Sequence, residues 1–178
     1  PRWRGRRAKL WLDTRLLELI RAARGRKDGH GLLWELVHAK DEGGLHLSDQ
    51  ELLDNIRLLL LAGHETTAGH ISWGLADLLR HPDYLESVLA QQSAVLGDRT
   101  ELGYEHLPRL KRMEWALKET ERLNPVAYVL MRTAQEDIEL SGYRIPKGSS
   151  VFLSPTLSHR LPEVWTLPEL YDPERFGP

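Results

Sequence analysis

The residues best suited to chemistry sit in one short run, Ala62-Gly63-His64-Glu65-Thr66-Thr67. The run lies inside a stretch of helical periodicity, where a glycine and two β-branched threonines are locally poor choices. Such breaches of local preference concentrate where function or close packing demands them. Gly63 lets another group approach the helix backbone, and threonine hydroxyls can bond carbonyls one turn back and loosen the ladder. Glu65 adds an ionisable group to apolar surroundings. An acid, an alcohol and a loosened helix suit a proton-relay groove. The same small residues also suit a point where two helices cross. Zinc does not fit. A His-Glu-x-x-His site needs histidines four apart, whereas Ala68 follows His64 at that spacing and His70 lies six on, ~240° around the helix.

Further charged positions stand out. Glu119 and Arg122 are three apart on a helix and therefore share a face, which in isolation describes an exposed ion pair. Glu121 reads the same way, paired with Lys118. Arg132 ends a strand-like run and Arg175 follows Pro173-Glu174; by themselves both read as surface arginines.

These residues need elements to hold them. Apolar residues recur at helical spacing from about Ala8 to Ala23, and a second short helix is expected over Leu32 to Ala39. Ser48-Asp49-Gln50-Glu51 is a capping box that starts a third helix. No proline intervenes before Arg80, so this helix runs for roughly 30 residues, about 45 Å at 1.5 Å each. Its middle, Leu58 to Ala62, is apolar all round and is expected to be buried. His81-Pro82 ends it and starts the next helix, which runs to about Gly97. Another spans Arg109 to Leu123, stopped by Asn124-Pro125. Strand-like runs follow at Tyr128 to Met131, Ile138 to Leu140, Tyr143 to Ile145 and Val151 to Leu153, with turn signals at Ser141-Gly142 and Pro146-Lys147-Gly148. The end, Ser154 to Pro178, is proline-rich and reads as ordered coil. The expected fold class is mainly α with a small antiparallel β region, built around a long central helix.

Composition is that of an ordinary globular chain of 178 residues, 41% hydrophobic and 28% charged. The net charge of −2 hides an asymmetry, since residues 1–30 carry ten Lys/Arg against three Asp/Glu. With only Trp3 and Trp11 among these basic residues, the pattern suits a solvated helix face and no groove-reading module, so no nucleic-acid partner is expected. The chain has no cysteine, which excludes disulfides, thiolate metal sites and a cysteine nucleophile within it. Its apolar runs are far shorter than the ~18 residues of a membrane span.

Taken in order, the motifs resemble those of the cytochrome P-450 family. Ala62 to Thr67 is similar to the oxygen-activating motif of that family's long central helix. Lys118-Glu119-Thr120-Glu121-Arg122-Leu123 resembles its Glu-x-x-Arg helix. Pro173-Glu174-Arg175-Phe176 resembles its Pro-x-Arg-Phe segment, preceded by Ser158-His159-Arg160-Leu161-Pro162 and Trp165 at similar spacing. The resemblance covers residues 30–178. Val129-Leu130-Met131-Arg132 and Ser154-Pro155-Thr156 resemble sterol 14α-demethylases, which usually carry a second histidine where this chain has Glu65.

The resemblance implies a partial cytochrome P-450 fold and a haem b cofactor. It also implies a monooxygenase that activates O2 and hydroxylates a small apolar substrate, supplied with electrons by a ferredoxin- or reductase-type partner. By it, Ala62 and Gly63 pack against the haem face, while Glu65 and Thr66 organise water and protons for O–O cleavage. Arg132 pairs with a propionate, and Val126, Val129 and Leu130 line the substrate pocket. Glu119, Arg122 and Arg175 form a buried structural ion network. The metal ligand is not in this chain: the family's cysteine loop follows the Pro-x-Arg-Phe segment, and the sequence ends at Gly177-Pro178. Residues 1–178 are accordingly expected to be part of one catalytic domain incomplete at both ends, inactive alone, from a cytoplasmic protein of bacterial type. The competing reading is a helical interaction module without chemistry. The two differ on whether Glu119, Arg122 and Arg175 converge.

Overall fold

The structure, a computed structural model, describes residues 2–99 and 101–178. The side chains of Arg2, Trp3 and Arg4 lie outside that description, and so does what was expected of them. The element order is α1 (Arg2–Arg24), α2 (Leu32–His38), α3 (Asp49–Arg80), α4 (Pro82–Leu96) and α5 (Lys111–Leu123). Then come β1 (Leu130–Thr133), β2 (Ile138–Leu140), β3 (Tyr143–Ile145), β4 (Ser150–Leu153) and α6 (Pro155–Ser158). Single 3-10 turns occupy Tyr104–Arg109 and Pro173–Phe176. The fold class is therefore mainly helical with small antiparallel sheets. The chain divides into two compact units, residues 1–65 and 66–178, with the division falling inside α3.

In the first unit α1 and α2 pack on the start of α3. Leu16, Ile20, Val37, Leu52 and Leu53 form the core, and burying each such side chain stabilises by about 1.5–3 kcal/mol. Arg57 of α3 pairs with Asp13 of α1, and Arg24 reaches both Asp49 (2.5 Å) and the Leu47 carbonyl (2.9 Å). The capping box forms as expected: the Ser48 N–H donates to Glu51 Oε2 (2.8 Å) and the Glu51 N–H to Ser48 Oγ (3.3 Å). These bonds, from the Ser48 side chain first, hold the Glu51 carboxyl below its ordinary range.

The middle of α3 departs from expectation. Leu58, Leu59, Leu60 and Leu61 are 45–64% exposed, so the all-round apolar stretch is not buried within this chain. Periodicity shows that such a surface needs cover; it does not show that the same segment supplies it. Leu59 and Leu60 instead form one wall of an apolar cleft of about 360 Å³, opposite Leu16, Leu19 and Leu33.

In the second unit α4 and α5 enclose a small core of Leu78, Val88 and Ala116, with Tyr84, Leu85 and Met113 around it. Pro82 opens α4, where its missing N–H costs nothing. Gly97 ends it at φ +58°, a conformation that glycine adopts without strain. The strands make two separate two-stranded antiparallel sheets, β1 with β4 and β2 with β3, where one small sheet was expected. The last 25 residues contain α6 and a 3-10 turn within what reads as coil. Pro155 at the start of α6 and Pro173 at the start of the turn are the residues that set them. No helix among the described residues is long and apolar enough to cross a membrane.

Candidate functional site

Ala62, Gly63, Glu65 and Thr66 all lie on exposed turns of α3. A Cβ built on Gly63 would meet nothing within 4 Å, so the groove read from the sequence is an open face. The close approaches lie further along. A Cβ on Gly69 would come within 3.2 Å of Val126 Cγ2, and one on Gly74 within 2.9 Å of Leu117 Cδ2. In the second unit α3 thus meets α5 at Gly74 and the chain after α5 at Gly69, and no such approach occurs at Gly63.

Glu119, Arg122 and Arg175 converge. Glu119 is fully buried and Arg122 nearly so, at 0% and 2% exposure. Arg122 Nε donates to Glu119 Oε2 (2.7 Å) and Nη2 to Oε1 (2.8 Å), a forked pair. Oε1 also accepts from Arg175 Nε (3.0 Å) and from the Asp172 N–H (2.8 Å). The other donors of Arg122 reach the carbonyls of His159 (2.8 Å), Pro168 (2.7 Å) and Leu170 (3.1 Å). All five of its N–H groups are therefore occupied, and Trp165 lies 5.2 Å from the guanidinium carbon. Burial opposes ionisation of Glu119 more than any single influence. The bonds from Arg122, Asp172 and Arg175 together overcome it and hold the carboxyl below the ordinary range. Such an assembly does no acid–base work. It clamps α5 to the segment 159–175.

The clamp explains a strained residue. Leu167 has φ +47°, left-handed for a side chain that rarely adopts it. The carbonyls on either side, of Thr166 and Pro168, are held by Arg175 (3.0 Å) and Arg122 (2.7 Å).

A cleft of about 340 Å³ opens beside this clamp, between the second half of α3, α5 and the chain that follows. It brings together Thr66, Val126 and Leu130, three of the residues singled out above, with His70, Glu121, Asn124 and His159. A smaller adjoining hollow of about 260 Å³ shares Thr66 and His70 and is walled by Leu117. Val129 is not among the lining residues, and neither is Arg132, which is exposed and donates to the neighbouring Met131 carbonyl (2.9 Å). Glu121 does not pair with Lys118 as expected. Lys118 reaches back to Glu114 (2.7 Å), which also binds Lys111 (2.8 Å). Those bonds, Lys111 first, hold the Glu114 carboxyl at about 2.

His70 and His159 are the cleft residues that the motifs left without a role. A signal for His70 existed, since it lies four residues after Thr66 and so on the same helix face. Its Nε2 lies 3.2 Å from the Leu117 carbonyl, across to α5. His159 bonds the Arg122 carbonyl through Nδ1 (3.2 Å), a contact that no local pattern announces. No cluster of three or more His, Cys, Asp or Glu suited to a metal ion occurs among the described residues.

The cytochrome P450 family model matches residues 14–178. A sterol 14alpha-demethylase of Mycolicibacterium vanbaalenii is 38% identical over 84% of this chain and 33% of its own length. Cytochrome P450 4F4 of Rattus norvegicus is 38% identical over 80% of this chain and 28% of its own. Among solved structures, a retinoic acid-bound cyanobacterial CYP120A1 superposes with TM-score 0.88 at 33% identity, covering 97% of this chain and 40% of that one. The haem domain of cytochrome P450DA gives TM-score 0.87 at 32% identity, covering 99% and 40%. The chain thus spans about a third of the length of the curated relatives it matches.

Proposed function

This chain belongs to the cytochrome P450 family, and from that premise we propose that it forms the central-helix and Glu-x-x-Arg portion of a haem-dependent monooxygenase acting on an apolar organic substrate. The observation that carries the reading is the open face at Gly63, beside Glu65 and Thr66, on a helix whose apolar middle has no cover of its own.

Haem b fits the residues present as far as they go. A flat macrocycle can lie against Ala62 and Gly63, where nothing larger than a methyl group projects, and the exposed guanidinium of Arg132 suits a propionate. The chain has no cysteine, so what it would contribute to holding the group is the face at Ala62 and Gly63 and the guanidinium of Arg132. When bound, haem supplies the activation of O2. The contributions of this chain are separate from that chemistry. Glu65 and Thr66 would organise water and protons at the helix face. Val126 and Leu130, which line the cleft beside α5, offer apolar surface to substrate, and Glu119, Arg122 and Arg175 keep α5 and the segment 159–175 in register. The names of two matched proteins, a sterol demethylase and a retinoic acid complex, both point to extended apolar substrates. A ferredoxin- or reductase-type donor and a cytoplasmic location complete the reading.

The test uses the full-length parent. It should give the ferrous–CO absorption of thiolate-ligated haem and incorporate one atom of 18O2 into a member of a sterol, retinoid and fatty-acid panel. Thr66→Ala should lower product formed per electron pair more than it lowers electron uptake. A parent that binds no haem, or oxygenates nothing in the panel, ends the proposal.

A further inference from the structure

Two residues of α3 outside the cleft hold the chain that walls it. Gly69 lies three residues after Thr66 and so beside it on the helix surface. A Cβ there would stand 3.2 and 3.3 Å from the two γ-carbons of Val126, inside the 3.4–4 Å of ordinary contact. Val126 therefore rests on bare helix backbone, in space that glycine alone leaves open. Glycine inside a helix is an unfavourable choice, and this contact supplies a reason for it.

Further along α3, Asp77 is buried at 5% exposure, and its Oδ2 accepts from Asn124 Nδ2 (3.0 Å). Its Oδ1 meets the exposed Arg80 guanidinium at 3.4 Å. Burying a carboxylate on so few donors is costly, and what it secures here is Asn124. The two contacts fall two residues apart on the chain after α5 but eight apart on α3, about 12 Å along its axis. Residues 124–126 thus run back along α3 toward Thr66. They begin stiffly: the Asn124 N–H donates to the Thr120 carbonyl (2.7 Å) where α5 stops, and Pro125 fixes its own φ. Val126, Ala127 and Leu130 then line the cleft of about 340 Å³ that also includes Thr66, whereas Gly69 and Asp77 are not among its lining residues.

We propose that Gly69 sets the gap between α3 and this wall, and so the breadth of the apolar substrate that can lie beside Thr66, while Asp77 keeps the wall in register through Asn124. The proposal rests on the monooxygenase reading, which gives Val126 and Leu130 to the substrate, and adds the residues that fix their distance from Thr66. Gly69 and Asp77 are positioning residues that act through Val126 and Asn124. A methyl group at position 69 has to be accommodated by Val126, whose χ1 is stiff. The valine backs away from α3 and takes residues 124–127 with it, so the gap opens by a few tenths of an ångström.

The test compares two ligands on one sample of the full-length parent, because partial unfolding weakens both alike and leaves their ratio unmoved. Dissociation constants of cholesterol and of palmitic acid are measured by equilibrium dialysis, without turnover. In Gly69→Ala the ratio should shift toward the broader cholesterol by about three- to tenfold, at or below the low end of what one methylene decides in an apolar pocket. In a Val126→Ala background the same substitution should shift it by less than about twofold, since the residue that transmits the push is gone. Asp77→Ala should also move the ratio toward cholesterol. Asp77→Asn, whose amide oxygen can still accept from Asn124, should restore it. A ratio unmoved in Gly69→Ala, moved toward palmitic acid, or moved as far without Val126 overturns the proposal, and so does a parent that binds neither ligand. A parent that binds them but oxygenates nothing in the wider panel sinks the monooxygenase reading instead, and the dialysis ratios still decide the role of Gly69. Should Gly69→Ala fail to fold, the Asp77→Ala and Asp77→Asn pair decides, and equal ratios in the two overturn the proposal.

Discussion

Helix α5 carries two glutamates two residues apart in opposite circumstances. Glu119 is sealed at 0% exposure with four N–H groups of three residues on its carboxylate, and Glu121 is exposed on the rim of a cleft with none. The helix itself does not distinguish them. The difference comes from residues 159–175, which fold back over one face of α5 and leave the other open. Glu119→Gln should therefore cost the full-length parent about 3–5 kcal/mol, because it strands buried guanidinium groups without a counter-charge. Glu121→Gln should stay within about 0.5 kcal/mol, as substitutions at unpartnered exposed positions do. Denaturant unfolding of the two variants measures the contrast, and equal losses would break it.

The same pair sharpens under acid. The carboxyl of Glu119 is held below its unfolded value, so its contribution is complete above the ordinary carboxylate range and is lost as pH falls through the depressed folded value. Stability of the parent should accordingly drop on acidification below about pH 4.5, and Glu119→Gln should flatten that limb. Glu121→Gln should leave the limb as it is. An acid limb unchanged in Glu119→Gln would mean that other carboxylates set it.

The glycines of α3 offer a second contrast of smaller size. Ala at position 69 would press on both γ-carbons of Val126, at 3.2 and 3.3 Å, and valine is stiff about χ1. Overpacking of this kind costs about 1–3 kcal/mol, offset by the 0.5–1 kcal/mol that Ala gains over Gly in a helix interior. At Gly74 the obstruction is one terminal methyl of Leu117, which can swing aside, so the loss should be smaller. Gly63→Ala meets nothing and should stabilise the fold by roughly 0.5–1 kcal/mol. If the open face receives haem as proposed, that variant should gain stability as apoprotein and lose haem affinity. A gain in both would show that the face is free for another reason.

These contrasts mark what the sequence could and could not convey. Ser48 and Glu51 announce the start of α3 because the capping box is local, and Pro82 and Gly97 bound α4 for the same reason. The order of the motifs sufficed for the family. Leu58 to Leu61 were misplaced because periodicity reports a demand for burial and leaves its supplier unnamed. Glu119 looked like a surface acid because its other partners, Asp172 and Arg175, lie more than 50 residues away; the resemblance pointed to Arg175, and nothing pointed to Asp172. The Lys118 pairing went to Glu114 because both choices satisfy helical spacing. His70 was weighed as a metal ligand and dropped, although its spacing from Thr66 already put the two on one face. Its contact with the Leu117 carbonyl is tertiary.

Leu167 tests the clamp at its least costly point. Its φ of +47° is held because the carbonyls on both sides are bound by Arg122 and Arg175. Its side chain is 66% exposed, so packing gives little back. A left-handed conformation costs a leucine about 1–2 kcal/mol. Glycine removes that strain and loses about 0.5–1 kcal/mol through its freer unfolded chain. Leu167→Gly should therefore raise stability by between about 0 and 1.5 kcal/mol, and Leu167→Val, branched at Cβ, should lower it. Thermal unfolding of the two variants in the parent decides the order. If valine is tolerated as well as glycine, the backbone there has relaxed and the two arginines are not holding it. In that case the clamp acts through Glu119 alone, and Arg175→Ala should cost little more than the loss of one hydrogen bond to a charged group, about 1.5–3 kcal/mol.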